Sequence, residues 1–154
     1  MPASAEARPS PVSPACTCGR LRRAARALTQ LYDDAMAPAG LRVTQYSLLS
    51  TLSVQGPMRI TDLAKRQLLD RTALSRNLDP LVERGLVAVA PGRDARTREA
   101  LITAKGTAAL RRAGPYWTRA QASVAERIGR AKLDTLIATL GELESLHPDR
   151  ELPR

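Results

Sequence analysis

The fold of this chain is decided by the stretch DRTALSRNLDPLVERGLVAVAPGRDARTREALIT, residues 70–103. In the first half of this stretch, apolar residues occur at the three- and four-residue spacing of one helix face, at Leu74, Leu78, Leu81 and Val82. Asp70 is a suitable N-cap residue, and Gly85 suits the left-handed position that ends many helices. These features predict a helix that runs from residue 71 to about residue 84.

A β-hairpin is predicted directly after this helix. The segments LVAVA (86–90) and EALIT (99–103) have the composition of strands, and the turn-forming sequence PGRDART separates them. The tip carries the arginines Arg93, Arg96 and Arg98. It also contains one acid, Asp94, which we expect to orient an arginine. An exposed arginine-rich tip is unsuited to a core and well suited to a narrow, electronegative DNA minor groove.

The polar face of the predicted helix has the composition of a DNA recognition helix, because the N-terminal residues of such helices meet base edges. Arg76 can form two hydrogen bonds to a guanine, and Ala73 can contact a thymine methyl group. Thr72 and Ser75 can bond phosphates or bases. For the helix taken alone, an amphipathic surface helix with solvated charges is the alternative.

The residues before this stretch predict three further helices and one more strand. They are a helix at 17–36, a helix at 45–54 capped by Thr44, a strand at 58–60, and a short helix at 62–68 capped by Thr61. The order of these elements predicts a winged helix-turn-helix. It comprises a helix, a short helix, a tight turn, a recognition helix and a basic hairpin. In that fold the strand MRI lies beside the wing, and Thr61 and Lys65 meet the DNA backbone from the short helix.

Two long helices are predicted after the hairpin. Thr103 caps the first, Gly129 marks a break, and His147-Pro148 closes the second. Apolar stripes on these helices exceed what a small winged domain can cover, for example at Leu133, Leu136, Ile137, Leu140 and Leu143. Packing against a second copy would bury them; packing within one chain is the alternative. A twofold dimer places its recognition helices ~34–36 Å apart, in successive major grooves of a palindrome.

The expected fold class is mainly α with a small β-wing: a winged helix-turn-helix domain joined to a helical dimerisation region. We divide the chain into a disordered N-terminal tail, an N-terminal dimerisation helix, the winged domain, the C-terminal dimerisation helices and a short tail. Their respective bounds are 1–15, 16–43, 44–103, 104–147 and 148–154.

The charge balance favours a polyanionic partner. The chain carries 24 Lys and Arg residues against 15 Asp and Glu residues, a formal net charge of +9. This excess favours nucleic acid before membrane. Most of the basic residues are arginines, which suits bidentate recognition of phosphate and guanine, although a GC-rich genome gives the same bias. No apolar run approaches the ~18 residues of a membrane span, and the N-terminus lacks a signal-peptide core. We therefore expect a cytoplasmic protein that does not interact with membranes.

The segments LVERGLV (81–87), RDAR (93–96) and LITAKG (101–106), in this order, closely resemble the MarR family of bacterial transcription regulators. The resemblance extends from about Cys16 to Leu146. It implies a homodimer that binds double-stranded DNA, and we expect a repressor acting on a palindromic operator. The family wing usually has an aspartate two residues before its first arginine, and this chain has Pro91 there.

The resemblance also implies a small-molecule effector. MarR relatives commonly release DNA when a small, often aromatic and anionic, molecule binds between the dimer helices and the winged domain. An arginine can bind a carboxylate and an aromatic residue can stack on a ring. The candidates for these roles are Arg22, Arg26, Tyr46, Tyr116 and Trp117. The alternative is that the aromatic residues belong to the core or an interface and that the arginines are solvated.

Two cysteines, Cys16 and Cys18, lie where the first helix begins. A helix N-terminus is a setting in which thiols become more reactive. Across a dimer, four thiols could form intersubunit disulfides or a metal site with sulfur ligands. A redox- or metal-responsive regulator of the same fold is therefore one alternative, and inert cysteines are the other.

The sequence contains no signature of catalysis. Its single histidine, His147, precedes Pro148 at a predicted helix end, and no phosphate loop, paired-histidine zinc motif or nucleophile elbow occurs. We expect neither an enzyme nor a cofactor. Two non-catalytic alternatives stay open: an architectural protein that binds DNA without sequence preference, and an interaction module whose winged fold binds an acidic protein.

Overall fold

The structure is a computed structural model, and it describes residues 16–94 and 96–148. The helices are α1 (Thr17–Met36), α2 (Val43–Gln55), α3 (Ile60–Arg66), α4 (Arg71–Glu83), α5 (Ala104–Ile128) and α6 (Arg130–Glu144), with a 3₁₀ turn at Ala37–Ala39. The strands are β1 (Met58–Arg59), β2 (Val87–Pro91) and β3 (Arg98–Ile102). The expected fold class, mainly helical with a small β-wing, is confirmed. The predicted disordered tail at 1–15 lies outside the described residues.

The predicted N-cap of the second helix is wrong. Thr44 lies inside α2, which begins at Val43 and has Arg42 as its N-cap residue. The backbone amide of Val43 donates to Oδ1 of Asp33 at 2.8 Å. Asp33 belongs to α1, so a carboxylate from a neighbouring helix satisfies this amide and α2 starts earlier than the local sequence suggests.

The predicted N-cap of the third helix is also wrong, because Thr61 lies inside α3, after the N-cap residue Arg59. Arg59 is paired with Glu99 of β3, so the chain passes from a strand directly into the helix. At the other end of α3, Gln67 accepts from Oγ of Ser47 at 3.2 Å and donates to Oγ1 of Thr51 at 2.9 Å. These two bonds attach the helix-turn-helix turn to α2.

The core lies where α2, α4 and α5 meet the small sheet. Its largest fully buried side chains are Met36, Leu48, Leu49, Leu52, Leu63, Leu74, Leu81 and Val87. The predicted apolar face of α4 is confirmed, since Leu74, Leu78 and Leu81 are each at most 3% exposed. Burial of one such side chain is worth roughly 1.5–3 kcal/mol. The opposite, polar face of α4 is therefore held outward.

The sheet has the order β1-β3-β2 with antiparallel neighbours, so the predicted third strand lies beside the wing. It comprises only Met58 and Arg59, because Ile60 is already the first residue of α3. The β2–β3 pairing runs from Val87 opposite Ile102 to Pro91 opposite Arg98. Pro91 thus ends a strand at the edge of the sheet, where its missing N–H is tolerated. The proline that replaces the usual aspartate leaves the hairpin paired as far as the tip.

Helix α5 connects the winged domain to the remaining helices, because it contacts α2 and β3 as well as α1 and α6. The hydroxyl of Tyr32 on α1 donates a hydrogen bond to Oε1 of Gln121 on α5. Burial raises the pKa of Tyr32 above its usual value. Within residues 16–94 and 96–148, no helix is both long enough and apolar enough to cross a bilayer.

A substitution at Gly106 tests the close contact between α5 and the residues that follow α4. A Cβ added to Gly106 would overlap the carbonyl oxygen of Leu86, so α5 would have to move away from the end of α4. We expect Gly106→Ala to lower the free energy of unfolding by about 2–3 kcal/mol in urea denaturation.

Gly114, in the same helix, is the matched control because a Cβ added there would have no contact within 4 Å. We expect Gly114→Ala to raise the free energy of unfolding by about 0.5–1 kcal/mol through helix propensity alone. Equal effects of the two substitutions would contradict the close contact at Gly106.

Candidate nucleic-acid interface

Helix α4 is fixed at its N-terminus by the predicted cap. Oδ1 of Asp70 accepts a hydrogen bond from the backbone amide of Ala73 at 2.7 Å. Thr72 and Arg76 are exposed, whereas Ala73 and Ser75 are half-buried. The N-terminal half of the outward surface of α4 therefore presents one hydroxyl and one guanidinium, with the two smaller side chains at its margin. The C-terminal half presents two carboxylates, those of Asp79 and Glu83.

The wing tip is ordered by Asp94. Its Oδ1 accepts from the backbone amide of Arg96 at 3.0 Å, and its carbonyl oxygen accepts from both the amide and Oγ1 of Thr97, each at 2.8 Å. Asp94 thus contacts an arginine, as predicted, and it does so through the backbone amide of that arginine. A Cβ on Gly92 would overlap Oγ1 of Thr97, so a larger residue there would displace the Thr97 side chain.

The other predicted DNA-binding residues lie on the surface. The exposed ones are Arg93, Arg96 and Arg98 of the wing and Thr61 and Lys65 of α3. Arg98 lies in β3 opposite Pro91, so it projects from the paired part of the hairpin. Seven cationic or hydroxyl side chains from three elements are thus accessible, counting Thr72 and Arg76 of α4. Such a surface can bind a phosphate backbone and reach into its grooves.

The predicted effector residues fall into separate groups. The rings of Tyr46 and Trp117 stack with centroids 5.9 Å apart and an interplanar angle of 15°. Both are half-buried and pack against the core. The guanidinium carbon of Arg119 lies 5.7 Å from the ring centroid of Tyr116. Arg22 and Arg26 are exposed on α1.

A surface cleft of about 560 Å³ opens where α1, the 3₁₀ turn, α2 and the end of α4 meet. Its charged lining residues are Asp33, Asp34, Arg42 and Arg84. None of the five predicted effector residues lines it. Sequence reasoning missed this cleft because its four charged residues come from three parts of the chain.

The two cysteines lie at the start of α1. Sγ of Cys16, the N-cap residue, accepts a hydrogen bond from the amide of Gly19 at 3.5 Å. Cys18 is exposed, and both thiols are free. Among the residues that the structure describes, no group of three or more potential metal ligands comes together.

Comparison with known proteins identifies the family. The family model described as "MarR family" matches residues 41–97. A crystal structure of the Mycobacterium tuberculosis transcriptional regulator MosR in complex with DNA is 42% identical, with a TM-score of 0.72. The alignment covers 85% of this chain and 97% of MosR. This chain belongs to the MarR family.

Two further MarR-like structures extend the likeness. The transcriptional repressor CouR, bound to a 23-mer DNA duplex, is 28% identical over 83% of this chain and 92% of its own, with a TM-score of 0.75. A mutant of Escherichia coli MarR in complex with operator DNA is 22% identical, with a TM-score of 0.73. The alignment covers 81% of this chain and 91% of that MarR chain, and it shows the shared fold. No curated protein sequence matches the chain significantly.

The chain is thus a DNA-binding transcriptional regulator of the MarR family, and its relatives are regulators rather than enzymes. Sequence reasoning missed one candidate contact of this MarR-family interface. Arg71 is exposed and is the first residue of α4, next to the cap. Its signal in the sequence was its position directly after the predicted N-cap, where a basic side chain can reach a phosphate.

The cap of the recognition helix can be tested by stability. We expect Asp70→Ala to lower the free energy of unfolding by about 1 kcal/mol in urea, because the amide of Ala73 loses its acceptor. Asp79→Ala, which removes an exposed carboxylate from the same helix, is the control and should change it by less than about 0.5 kcal/mol. A loss at Asp70 no larger than the loss at Asp79 would show that the cap contributes nothing.

Proposed function

We propose that this regulator binds a palindromic DNA operator as a homodimer and represses transcription until a small molecule releases it. One observation carries the proposal. The leucine face of α4 is locked in the core, so Thr72 and Arg76 are presented outward beside a wing whose tip Asp94 orders. A pre-ordered helix face and hairpin can bind DNA without first paying for their own folding.

Each proposed DNA contact follows from exposure and chemistry. Arg76 binds a guanine edge in the major groove, and Thr72 bonds a base or a phosphate. Ala73 and Ser75, being half-buried, contact only a base or phosphate that lies close to the helix.

The remaining contacts are to the minor groove and the backbone. Arg93 and Arg96 enter the minor groove or bind its phosphates, and Arg98 supports them from the paired part of the wing. The short helix α3 and the start of α4 contact the DNA backbone, through Thr61, Lys65 and Arg71.

The proposed homodimer is supported by apolar surface that one chain leaves uncovered. Leu133 is buried, whereas Leu136 and Ile137 on the same stripe of α6 are 38% and 54% exposed. Leu28 on α1 and Ile128 at the end of α5 are exposed as well. A second copy would bury these side chains together, and its twofold axis would match the symmetry of a palindrome.

For the effector, the cleft at the end of α4 is better supported than the predicted aromatic residues. Tyr46 and Trp117 stack on one another, so a ligand would have to replace that contact. The cleft is open, and its charged lining consists of two arginines, Arg42 and Arg84, beside two aspartates of α1. A ligand that carries both an anionic and a hydrogen-bond-donating group fits this lining. Arg22 and Arg26 are exposed and do not line the cleft. They could therefore bind an effector only in a site completed by the second copy.

Regulation through the cysteines is the second candidate. Cys16 and Cys18 lie together at the N-terminus of α1 and both are free thiols, one of them exposed. Oxidation there would alter the start of a helix that carries part of the proposed dimer surface. A metal site would need the two thiols of the second copy, because two cysteines supply only half of a four-sulfur site.

Arg76→Ala tests sequence-specific recognition. We expect it to weaken operator binding by ~1–3 kcal/mol and to relax preference at one base pair, because a bidentate contact is lost. Arg111→Ala, which removes an exposed arginine from α5, should leave affinity and preference unchanged. Fluorescence anisotropy on an operator selected from random DNA, with excess nonspecific DNA present, provides the measurement.

Other outcomes of that measurement identify the alternatives. If the protein were architectural, Arg76→Ala would weaken its binding equally on every DNA sequence. The salt dependence of binding would also become shallower. A module for acidic proteins would show no operator binding once nonspecific DNA is in excess.

Ile137→Asp tests the homodimer. We expect the unmodified chain to have about twice its monomer mass of 16.7 kDa in light scattering at micromolar concentration. The substitution places a charge in the proposed interface, so it should shift the mass toward the monomer and weaken palindrome binding. Ala138→Asp, on the side of α6 away from the apolar stripe, should remain dimeric. A monomer mass for the unmodified chain would refute the proposal.

A further inference from the structure

The end of the recognition helix is bonded to the beginning of α5. Helix α4 closes with the amide of Gly85 donating to the carbonyl of Val82 at 2.9 Å and the amide of Leu86 donating to that of Leu81 at 2.8 Å. Gly85 has a φ of 70°, which suits glycine at this position. This arrangement turns the carbonyl groups of the next residues away from α4, and they need donors from elsewhere.

Three successive carbonyl oxygens receive those donors from one short segment. The oxygen of Arg84 accepts from Nζ of Lys105 at 2.8 Å. The oxygen of Gly85 accepts from Oγ1 of Thr103 at 2.7 Å, and that of Leu86 accepts from the amide of Thr103 at 3.1 Å. We call Arg84–Leu86 together with Thr103–Gly106 the α4–α5 junction.

The electrostatics of the junction favour the same geometry. The C-terminus of α4 carries the negative end of the helix dipole, and the Lys105 ammonium is bonded directly to it. The N-terminus of α5 is capped by Thr103, whose Oγ1 accepts from the amide of Gly106 at 3.0 Å. One threonine hydroxyl therefore caps α5 while it donates to the turn that ends α4.

The packing of the junction leaves it little freedom to slide. Gly106 is buried, and a Cβ there would lie 2.8 Å from Cγ1 of Ile102 and closer still to the oxygen of Leu86. The space between α5 and the α4–β2 connection thus leaves no room for a side chain at this position. With glycine at this point, the hydrogen bonds of Thr103 and Lys105 can set the angle between the two helices.

We propose that Thr103 and Lys105 are positioning residues that set the angle between the recognition helix and α5, and so restrict the dimer to operators with one half-site spacing. This inference rests on the proposed function, because it needs a dimer bound to two half-sites. The residues act through the backbone of α4 and contact no base.

The length of α5 makes a small change of angle important. Its 25 residues extend about 37 Å, at about 1.5 Å per residue. A rotation of about 5° at one end of such a helix displaces the other end by about 3 Å, close to the ~3.4 Å between successive base pairs. One added base pair also turns a half-site by about 34–36° around the DNA axis, at 10–10.5 base pairs per turn. A junction loosened by a few degrees would therefore ease only the distance part of this mismatch, and would reduce the penalty for a spacing changed by one base pair without abolishing it.

The experiment uses the full chain and compares Lys105→Met with Lys132→Met. Methionine keeps much of the length of the lysine side chain and removes the donor, and Lys132 is an exposed lysine on α6 outside the junction. Binding is measured by anisotropy at 25 °C on the selected palindrome, on versions with one base pair added or removed between half-sites, and on an isolated half-site. Titration against excess palindrome first gives the active fraction of each preparation.

We expect Lys105→Met to lose about five- to tenfold in affinity for the palindrome, the scale of one charge-assisted hydrogen bond, and less than about twofold for the half-site. The penalty for one added or removed base pair should shrink in this variant and stay unchanged in Lys132→Met. Lys105→Arg, which keeps a cationic donor, should restore both the affinity and the spacing preference.

Two results would overturn the inference. In the first, Lys105→Met and Lys132→Met bind every DNA with the same affinity. This result would show that the bond from Lys105 to the carbonyl of Arg84 does not set the helix angle. An equal loss on palindrome and half-site, with a shallower salt dependence, would make Lys105 a phosphate contact instead.

The Thr103 hydroxyl gives an independent pair of variants. Thr103→Ser keeps the hydroxyl and should preserve the spacing preference, whereas Thr103→Val removes it and should broaden the preference; equal profiles would refute the role of Thr103. Failure of the proposed function looks different from either result. In that case the unmodified chain itself would show no preference for the palindrome over the half-site.

Discussion

The burial of one face of α4 is the constraint on which the rest of this structure depends. Leu74, Leu78 and Leu81 lie in the core, and each contributes roughly 1.5–3 kcal/mol by leaving water. Rotation of α4 about its axis would expose them, so the direction of Thr72 and Arg76 is fixed by apolar packing on the other side of the helix. Recognition of DNA by hydrogen bonds requires side chains held in this way, because their geometry is directional.

Both ends of α4 are held by hydrogen bonds. Asp70 bonds the first turn, and the α4–α5 junction bonds the residues that follow the last turn. Arg84 belongs to this junction through its carbonyl and lines the surface cleft as well. The cleft therefore lies next to the end of α4, away from Arg76 on its exposed face.

Local signals predicted much of the fold and failed at identifiable places. The caps Asp70 and Thr103 were predicted correctly because each bonds an amide three residues away in the chain. Thr44 and Thr61 were wrong because α2 takes an acceptor from Asp33 of another helix and α3 continues directly from a paired strand. The surface character of the wing arginines was predicted from composition. The bond from the amide of Arg96 to Asp94 is local as well, and is the two-residue bond that aspartates commonly accept in turns.

The sequence by itself determined the type and order of the elements, the apolar face of α4 and the charge of the wing. These properties depend on residues within a few positions of one another, where periodicity and capping act. The tertiary structure alone decided the α4–α5 junction, the stacking of Tyr46 on Trp117 and the cleft that Arg42 and Arg84 share with two aspartates of α1. Each of these joins residues that are distant in the chain, and only the burial of a common core brings them into contact.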